Sequence, residues 1–328
     1  MDPVRQMRRM LNGYQVAQSL SVATRLGISD LLADGPRTVE DLARTTGTHA
    51  PTLLRLLRAL ATIGIYQRSG DGRFGLTELG ATLRRDAPRS VAGWAELIGR
   101  PYYVQAWTAL EGSVRTGENA FQHVHGMSVW EYRASRPEEQ ATFDGAMRAV
   151  SGTVAEAVAG AYDFGRFGTV VDVGGGHGTL MAAILARHPE VRGVLFDQPH
   201  AVADLVGTDR LRIVGGDFFA GVPEGGDAYL LKAVIHDWPD EESVAILRSC
   251  RRAMAPTGTL LLVEQLLDQA PDPAVTAFSD LNMLVSPGGR ERELAEYGRL
   301  LSAAGFRLVG AVPTGTDVFV IEAAPAAG

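Results

Sequence analysis

A chain of 328 residues, 46% apolar and 21% charged, has the make-up of an ordinary globular protein and the length of two domains rather than one. Its net charge of −7 argues against bulk nucleic-acid binding, which basic residues drive by neutralising phosphates, and its single cysteine excludes an intrachain disulfide or a cysteine-based zinc cluster. No signal peptide is visible and no apolar run approaches the ~18 residues that span a bilayer, so a soluble, cytoplasmic protein with no membrane partner is expected.

Residues 4–26 carry Met7, Met10, Leu11, Tyr14, Ala17, Val22 and Leu26 with few breakers, which predicts a helix apolar on much of its circumference. Such a helix, placed before any domain core, needs a partner surface, and a second subunit is one candidate. Thr38-Val-Glu-Asp-Leu-Ala then reads as an N-capped helix and His49-Ala-Pro-Thr-Leu-Leu-Arg-Leu-Leu-Arg-Ala-Leu as another. A hairpin follows around Asp71-Gly72, from Ile65 to Leu76. Helix, helix, hairpin is a winged helix. That shape admits a DNA-binding regulator whose second helix enters the major groove. Here, however, Arg55 and Arg58 are interleaved with Leu53, Leu54, Leu56, Leu57 and Leu60, and the wing adds only Arg68 and Arg73. A basic stripe with base-reading side chains is what recognition requires, so no nucleic-acid partner is expected.

Residues 88–165 read as helices over 90–99, 103–116, 129–134 and 138–160, with a turn containing Gly and His between the second and third. Aromatic and methionine side chains collect here, among them Trp94, Tyr103, Trp107, Met127, Trp130, Phe143 and Met147, and an interdomain helical core explains most of them. His123 and His125, two residues apart with no third ligand nearby, make a weak metal signal.

From Thr169 the pattern alternates. Strands are predicted over 169–173, 191–196, 211–214, 228–231, 259–264, 306–312 and 317–322, with helices between them, notably over 241–254 and 293–304. Cys250, beside Ile246 and Leu247, reads as an inert buried thiol. Alternation of this kind gives a doubly wound, mostly parallel α/β sheet with helices on both faces. Only Pro313-Thr-Gly-Thr joins the last two strands, too short for a parallel crossover, so they must pair antiparallel. The tail from Ala323 to Gly328 is small and expected to fray.

The first strand runs into Gly174-Gly-Gly-His-Gly, where side-chain-free residues let a ligand approach the backbone at a helix N-terminus. Gly174, Gly176 and Gly178 form G-x-G-x-G, without the G-x-G-x-x-G spacing that seats a pyrophosphate. The second strand ends in Asp197, placed to accept both ribose hydroxyls. The third leads into Asp217-Phe218, a carboxylate for an adenine amino group and an aromatic face for its ring. A nucleoside without a phosphate chain fits this set better than a dinucleotide. Alone, the glycine turn could equally be a packing device at a strand end.

Ligands of open α/β sheets bind outside the carboxyl ends of the strands. His236 lies just beyond the fourth strand, Glu264 ends the fifth, and Glu291 follows the Gly288-Gly289 turn. All three project toward the nucleoside edge, a base with two groups to orient it, although an isolated histidine after a strand is commonly structural. Lys232 and Asp237 lie close enough to help line the same edge.

Asp172-Val-Gly-Gly-Gly-His-Gly, Phe196-Asp-Gln-Pro-His, Gly215-Gly-Asp-Phe-Phe, Leu231-Lys-Ala-Val-Ile-His-Asp-Trp and Gly288-Gly-Arg-Glu-Arg stand in an order that resembles the S-adenosylmethionine-dependent small-molecule O-methyltransferases. That group contains plant caffeate-type enzymes and bacterial aromatic polyketide and antibiotic methyltransferases. The resemblance implies a Rossmann-like methyltransferase sheet with a reversed last strand over 166–328, a winged-helix dimerisation domain over 1–90, and a helical linker over 91–165 that roofs the acceptor pocket. It further implies a homodimer, with S-adenosylhomocysteine as product. Positions matching Gly174, Asp197, Asp217, Phe218 and Lys232 contact the cofactor in the family, and Gly176 and Asp237 are added here from their placement. Those matching His236, Glu264 and Glu291 form the catalytic set. Trp107, Met127, Phe143 and Met147 are candidates for contact with a flat aromatic acceptor, which favours aromatic and thioether walls.

Other readings attach to the same residues. His236, Asp237, Glu264 and Glu291 are of types that bind a divalent metal, as in catechol-type methyltransferases, but glutamates holding an imidazole explain the set with no metal, which is the expectation. Relatives of the fold have also turned to decarboxylation, hydroxylation or cyclisation; those are expected to lack the base, and His236 is present. A winged-helix regulator that keeps a nucleoside pocket as a sensor is the non-enzymatic alternative.

Overall fold

The computed structural model describes residues 2–326, which form two compact units. Residues up to Thr108 with Glu131–Val150 make the first, and Ala109–Trp130 with the chain from Ser151 make the second, so the stretch 91–165 is divided between them.

In the first unit the predicted helix over 4–26 is two helices, Pro3–Leu11 and Gly13–Arg25. Asn12 sits between them at φ −85°, ψ 4°, outside helical geometry, and the glycine that follows has low helical propensity. The winged helix is present. Thr38 caps Val39–Thr46 by accepting from the Asp41 amide, and Gly47 ends that helix in the left-handed region. Ala50–Thr62 buries Leu53, Leu57 and Leu60 and leaves Arg55 and Arg58 outside. Strands β1, Tyr66–Arg68, and β2, Phe74–Leu76, pair antiparallel as the wing. Ile28, Leu32, Leu42 and Phe74 complete this core.

Between 101 and 134 the helices are shorter than their apolar pattern suggests. The span 103–116 is divided into Pro101–Thr108 and Leu110–Thr116. The predicted Gly/His turn is instead a helix, Ala120–His125, because Asn119 accepts from the Gln122 amide and Gly126 closes the end at φ 70°. Val129–Ala134 and Pro137–Ala161 follow.

The second unit is built on a seven-stranded sheet. Its strands are β3 Thr169–Val173, β4 Arg192–Asp197, β5 Leu211–Gly215, β6 Ala228–Lys232, β7 Thr259–Gln265, β8 Phe306–Pro313 and β9 Val318–Pro325. They lie in the order β5-β4-β3-β6-β7-β9-β8, the first five parallel and β9 antiparallel to both β7 and β8. Alternate residues feed opposite faces, as a strand dictates. Val171, Val173, Leu260 and Leu262 enter one core with Ile246, Leu247 and Tyr297, whereas Val170, Leu261 and Val263 enter another with Leu180 and Ile184. Each such aliphatic side chain contributes about 1.5–3 kcal/mol by leaving water, and burial on both faces explains why the strands read as unbroken apolar runs.

The tail expected to fray from Ala323 is strand as far as Pro325. Ala323 is fully buried against Leu260 and Leu308, where its small side chain fits between paired strands; residues 327–328 lie outside the described residues. Cys250 is fully buried, and burial pushes its thiol up to about 12. No helix among the described residues is long and apolar enough to cross a membrane.

Candidate active site

The carboxyl ends of β3, β4 and β5 are tied together by backbone. Beyond β3, Gly174 adopts φ 72° and donates to the Phe196 carbonyl at 2.8 Å, and a Cβ there would meet Val234 at 2.8 Å, so only glycine fits. The Gly176 amide donates to Asp197 Oδ2 at 2.7 Å and the Gln198 amide to Oδ1 at 2.6 Å. Those bonds fix the carboxylate at the end of β4 and leave each oxygen a further lone pair for a ligand hydroxyl. The Gly216 amide donates to the Asp197 carbonyl, which carries Asp217 and Phe218 to the same edge. Asp217 is exposed, with Oδ1 accepting from the Phe219 amide. Phe218 is half-buried, edge-on to Trp238 at 5.8 Å between ring centroids.

Beneath the turn the sheet holds charge. Asp172 is 1% exposed and neither carboxylate oxygen has a hydrogen-bond partner; burial raises it to about 7. Lys232, at the end of β6, donates to Ser151 Oγ at 3.2 Å. Burial pulls its ammonium below the ordinary lysine range, against the opposing pull of Asp172, Glu264 and Asp237.

His236, Glu264 and Glu291 come together. The histidine lies on a single helical turn, Ile235–Asp237, after β6; Glu264 is on β7; and Glu291 follows the helix Pro273–Val285, which the periodicity had not singled out. His236 Nδ1 lies 2.9 Å from Glu264 Oε2 and 3.5 Å from Glu291 Oε2. Both glutamate side chains are fully buried, and the imidazole is 15% exposed. Burial alone would lower the His236 pKa, but the two facing carboxylates outweigh it and hold the ring well above its ordinary range. Burial likewise acts to raise the Glu291 carboxyl, yet the facing imidazole holds it below the usual carboxylate value. Each glutamate's other oxygen is occupied. Glu264 Oε1 accepts from the Val234 and Ile235 amides at 3.1 and 2.9 Å, and Glu291 Oε1 accepts from Ser279 Oγ at 2.7 Å. Asp237 Oδ1 stands 3.7 Å from Nε2 on the opposite side of the ring.

The acceptor-wall candidates are distributed between the units. Trp107, Phe143 and Met147 belong to the first and Met127 to the second; all are half-buried, with the Arg133 guanidinium 3.8 Å over the Phe143 ring. His125 packs on Phe121 at 4.3 Å between centroids, and His123 is exposed. Sequence reasoning missed Ser279, Trp238 and the unpartnered Asp172. An aspartate in an otherwise β-branched strand was the available signal for Asp172, and the motif that ends in Trp238 was the signal for the tryptophan; nothing local marks Ser279.

Residues 107–307 match the family model described as the O-methyltransferase domain, and residues 8–86 match the O-methyltransferase dimerisation domain. The chain is 45% identical over 325 residues to phenazine O-methyltransferase of Lysobacter antibioticus, with 97% of this chain and 95% of that protein covered. It is 42% identical over 322 residues to the mitomycin biosynthesis 6-O-methyltransferase of Streptomyces lavendulae, covering 95% and 92%. A solved O-methyltransferase from neocarzinostatin biosynthesis, in complex with S-adenosyl-L-homocysteine and 1,4-dihydroxy-2-naphthoic acid, is similar with a TM-score of 0.80 at 35% identity, over 94% of this chain and 96% of that one.

Proposed function

We propose that this chain, which belongs to the O-methyltransferase family and carries that family's dimerisation domain, moves a methyl group from S-adenosylmethionine to a phenolic or enolic hydroxyl of an aromatic natural product, with His236 as general base. The observation that carries this reading is the imidazole whose Nδ1 faces two buried carboxylates, at the sheet edge that also bears the glycine turn.

The residues at that edge fit the cofactor. Asp197, Asp217, Asp237, Glu264 and Glu291 stand there against Lys232 and His236, an acidic surplus that suits a cationic ligand and disfavours a phosphate chain. Asp197 would take the ribose hydroxyls, Asp217 and Phe218 the adenine, and Lys232 the methionine end. The bound sulfonium supplies an already activated methyl group, so the protein's tasks are alignment and proton removal.

The orientation of His236 decides how the proton moves. A proton on Nδ1, held toward Glu264, leaves the lone pair on Nε2, the ring nitrogen turned away from both glutamates. A phenol with a pKa of ~10 is mostly protonated at neutral pH, and Nε2 would accept its proton as the methyl carbon passes from sulfur to the phenolic oxygen, leaving S-adenosylhomocysteine. The resulting imidazolium is the state that Glu264 and Glu291 stabilise. The same stabilisation has a consequence for pH. Because the free enzyme holds His236 protonated above its ordinary range, kcat/KM rises with pH as the ring loses that proton, and the acid limb lies above the usual histidine value.

A second reading has an observation behind it: ligand atoms of His236, Glu264 and Glu291 lie within 4.8 Å of one another, a spacing that a divalent ion could bridge. What supports the metal-free reading is that one oxygen of each glutamate is already engaged, whereas hard divalent ions collect six or more oxygens. EDTA is expected to leave turnover unchanged. Loss of activity restored by magnesium would favour the metal. The cofactor is tested by calorimetry with S-adenosylhomocysteine, and no heat of binding at millimolar concentration would overturn the proposed reaction.

A further inference from the structure

Arg292 is the largest fully buried side chain among the described residues, a guanidinium at 0% exposure beside one of the proposed catalytic residues. Its donors go to the loop that carries His236. Nη1 donates to the Ile235 carbonyl at 3.0 Å and Nη2 to the Trp238 carbonyl at 2.8 Å, so the two bonds bracket the histidine in the chain. Nε and Nη2 both donate to Asp240 Oδ1, at 3.2 and 2.9 Å. Ser243 Oγ lies 3.2 and 3.1 Å from the same two carbonyl oxygens, with its one proton shared between them.

The loop needs this restraint. Ala233, three residues before His236, is the one residue other than glycine with positive φ among the described residues, at 53°, and so starts the loop in a strained conformation. On the amide side, the Val234 and Ile235 N–H groups donate to Glu264 Oε1; on the carbonyl side, Arg292 holds Ile235 and Trp238. The backbone of Gly289 closes the remaining approach, since a Cβ there would lie 2.0 Å from the His236 carbonyl oxygen. Arg292 is itself attached to the end of β7, where the Leu267 amide donates to its carbonyl. Adjacent residues of one segment therefore deliver a carboxylate to the ring and a guanidinium to the ring's own backbone.

We propose that Arg292 is a positioning residue, whose planar fork sets the 235–240 loop so that the His236 ring stands against Glu264 and Glu291. Its charge partner, Asp240, is 52% exposed, and an ion pair with one member open to solvent contributes little to stability. Geometry is the better reason for the guanidinium. A lysine could place its ammonium near one carbonyl but not bridge both. This inference rests on His236 being the base.

The test uses the full-length protein with 13C-labelled histidine, the His236 resonance being assigned by its loss in His236→Ala. In Arg292→Lys and Arg292→Met the His236 titration midpoint is expected to fall by about one pH unit or more, because the ring no longer faces both carboxylates. S-adenosylhomocysteine affinity, measured by calorimetry, is expected to stay within about threefold, since the glycine turn and Asp197 are untouched. Asp240→Asn, at an exposed position, is expected to move the midpoint the same way by less, and it serves if the Arg292 variants do not fold. An unchanged midpoint in the folded variants, or a loss of S-adenosylhomocysteine affinity as large as the loss of turnover, would overturn the proposal. If His236→Ala keeps full turnover while Arg292→Lys still shifts the midpoint, the base assignment fails and the positioning role stands.

Discussion

In the helix Pro3–Leu11 no residue is buried, and Val4, Met7, Met10 and Leu11 each leave more than half of their surface exposed. In the loop from Ala233 to Asp240, by contrast, the backbone groups around His236 are held by Glu264, Ser243 and Arg292 of the same chain. Both segments are short, yet one is completed by its own chain and the other presents its apolar side chains at the surface. The loop's conformation is therefore fixed within one subunit. The helix is a surface in search of a partner, in keeping with the dimerisation domain that matches from residue 8.

The two regions should consequently fail in different ways. His236→Ala is expected to reduce turnover by about 100-fold or more, the usual scale for a removed general base, while S-adenosylhomocysteine affinity in calorimetry hardly changes. Unchanged turnover would mean a reaction that depends on acceptor alignment alone. Asp197→Ala should do the reverse. Losing two hydrogen bonds to a charged acceptor weakens S-adenosylhomocysteine binding by about 100-fold or more and leaves the His236 titration where it was. At the N-terminus, Met10→Glu combined with Leu11→Glu should convert a dimer to a monomer in light scattering at micromolar concentration, with unaltered helical circular dichroism because neither side chain is buried within the chain. If the unmutated protein is already monomeric there, the contrast between the regions loses its helical side.

The same contrast explains what could be read from the sequence. The glycine turn, Asp197, Asp217, His236 and Glu264 are legible because each lies at or just beyond a strand end, and the strands read as short unbroken apolar runs bounded by glycine and polar residues; Glu291 is legible from the Gly288-Gly289 turn before it. The antiparallel β8–β9 pair follows from a connection too short for a crossover, but the insertion of β9 between β7 and β8 does not, since sheet order is decided by packing. Arg292 and Ile235 stand 57 residues apart, and Ser279 and Glu291 stand 12 apart; such partners meet only once the sheet has formed. The break at Asn12 was hidden because apolar residues continue through it. The helix Ala120–His125 was signalled by its Asn119 cap and Gly126 stop, but its histidines and glycine read as a turn.

Asp172 belongs to neither region, being as buried as Glu264 but, unlike it, without a hydrogen bond on either oxygen. The expected effect is on stability rather than on turnover or binding, and it depends on pH. Burial raises the folded pKa to about 7, whereas an unfolded chain titrates an aspartate near ~3.9, so the folded state holds the proton more tightly. The stability contributed by that proton is fully present below about pH 4, declines by up to about 1.4 kcal/mol for each pH unit above it, and is lost once pH passes the folded value. Asp172→Asn keeps the site neutral at every pH, and its melting temperature relative to the unsubstituted protein should therefore climb between pH 5 and pH 7 and level off above. A difference that is flat with pH would mean that Asp172 stays ionised in the folded protein. Lys232 would then neutralise it, as Arg292 is neutralised by Asp240, and the floor of the glycine turn would be as self-sufficient as the His236 loop.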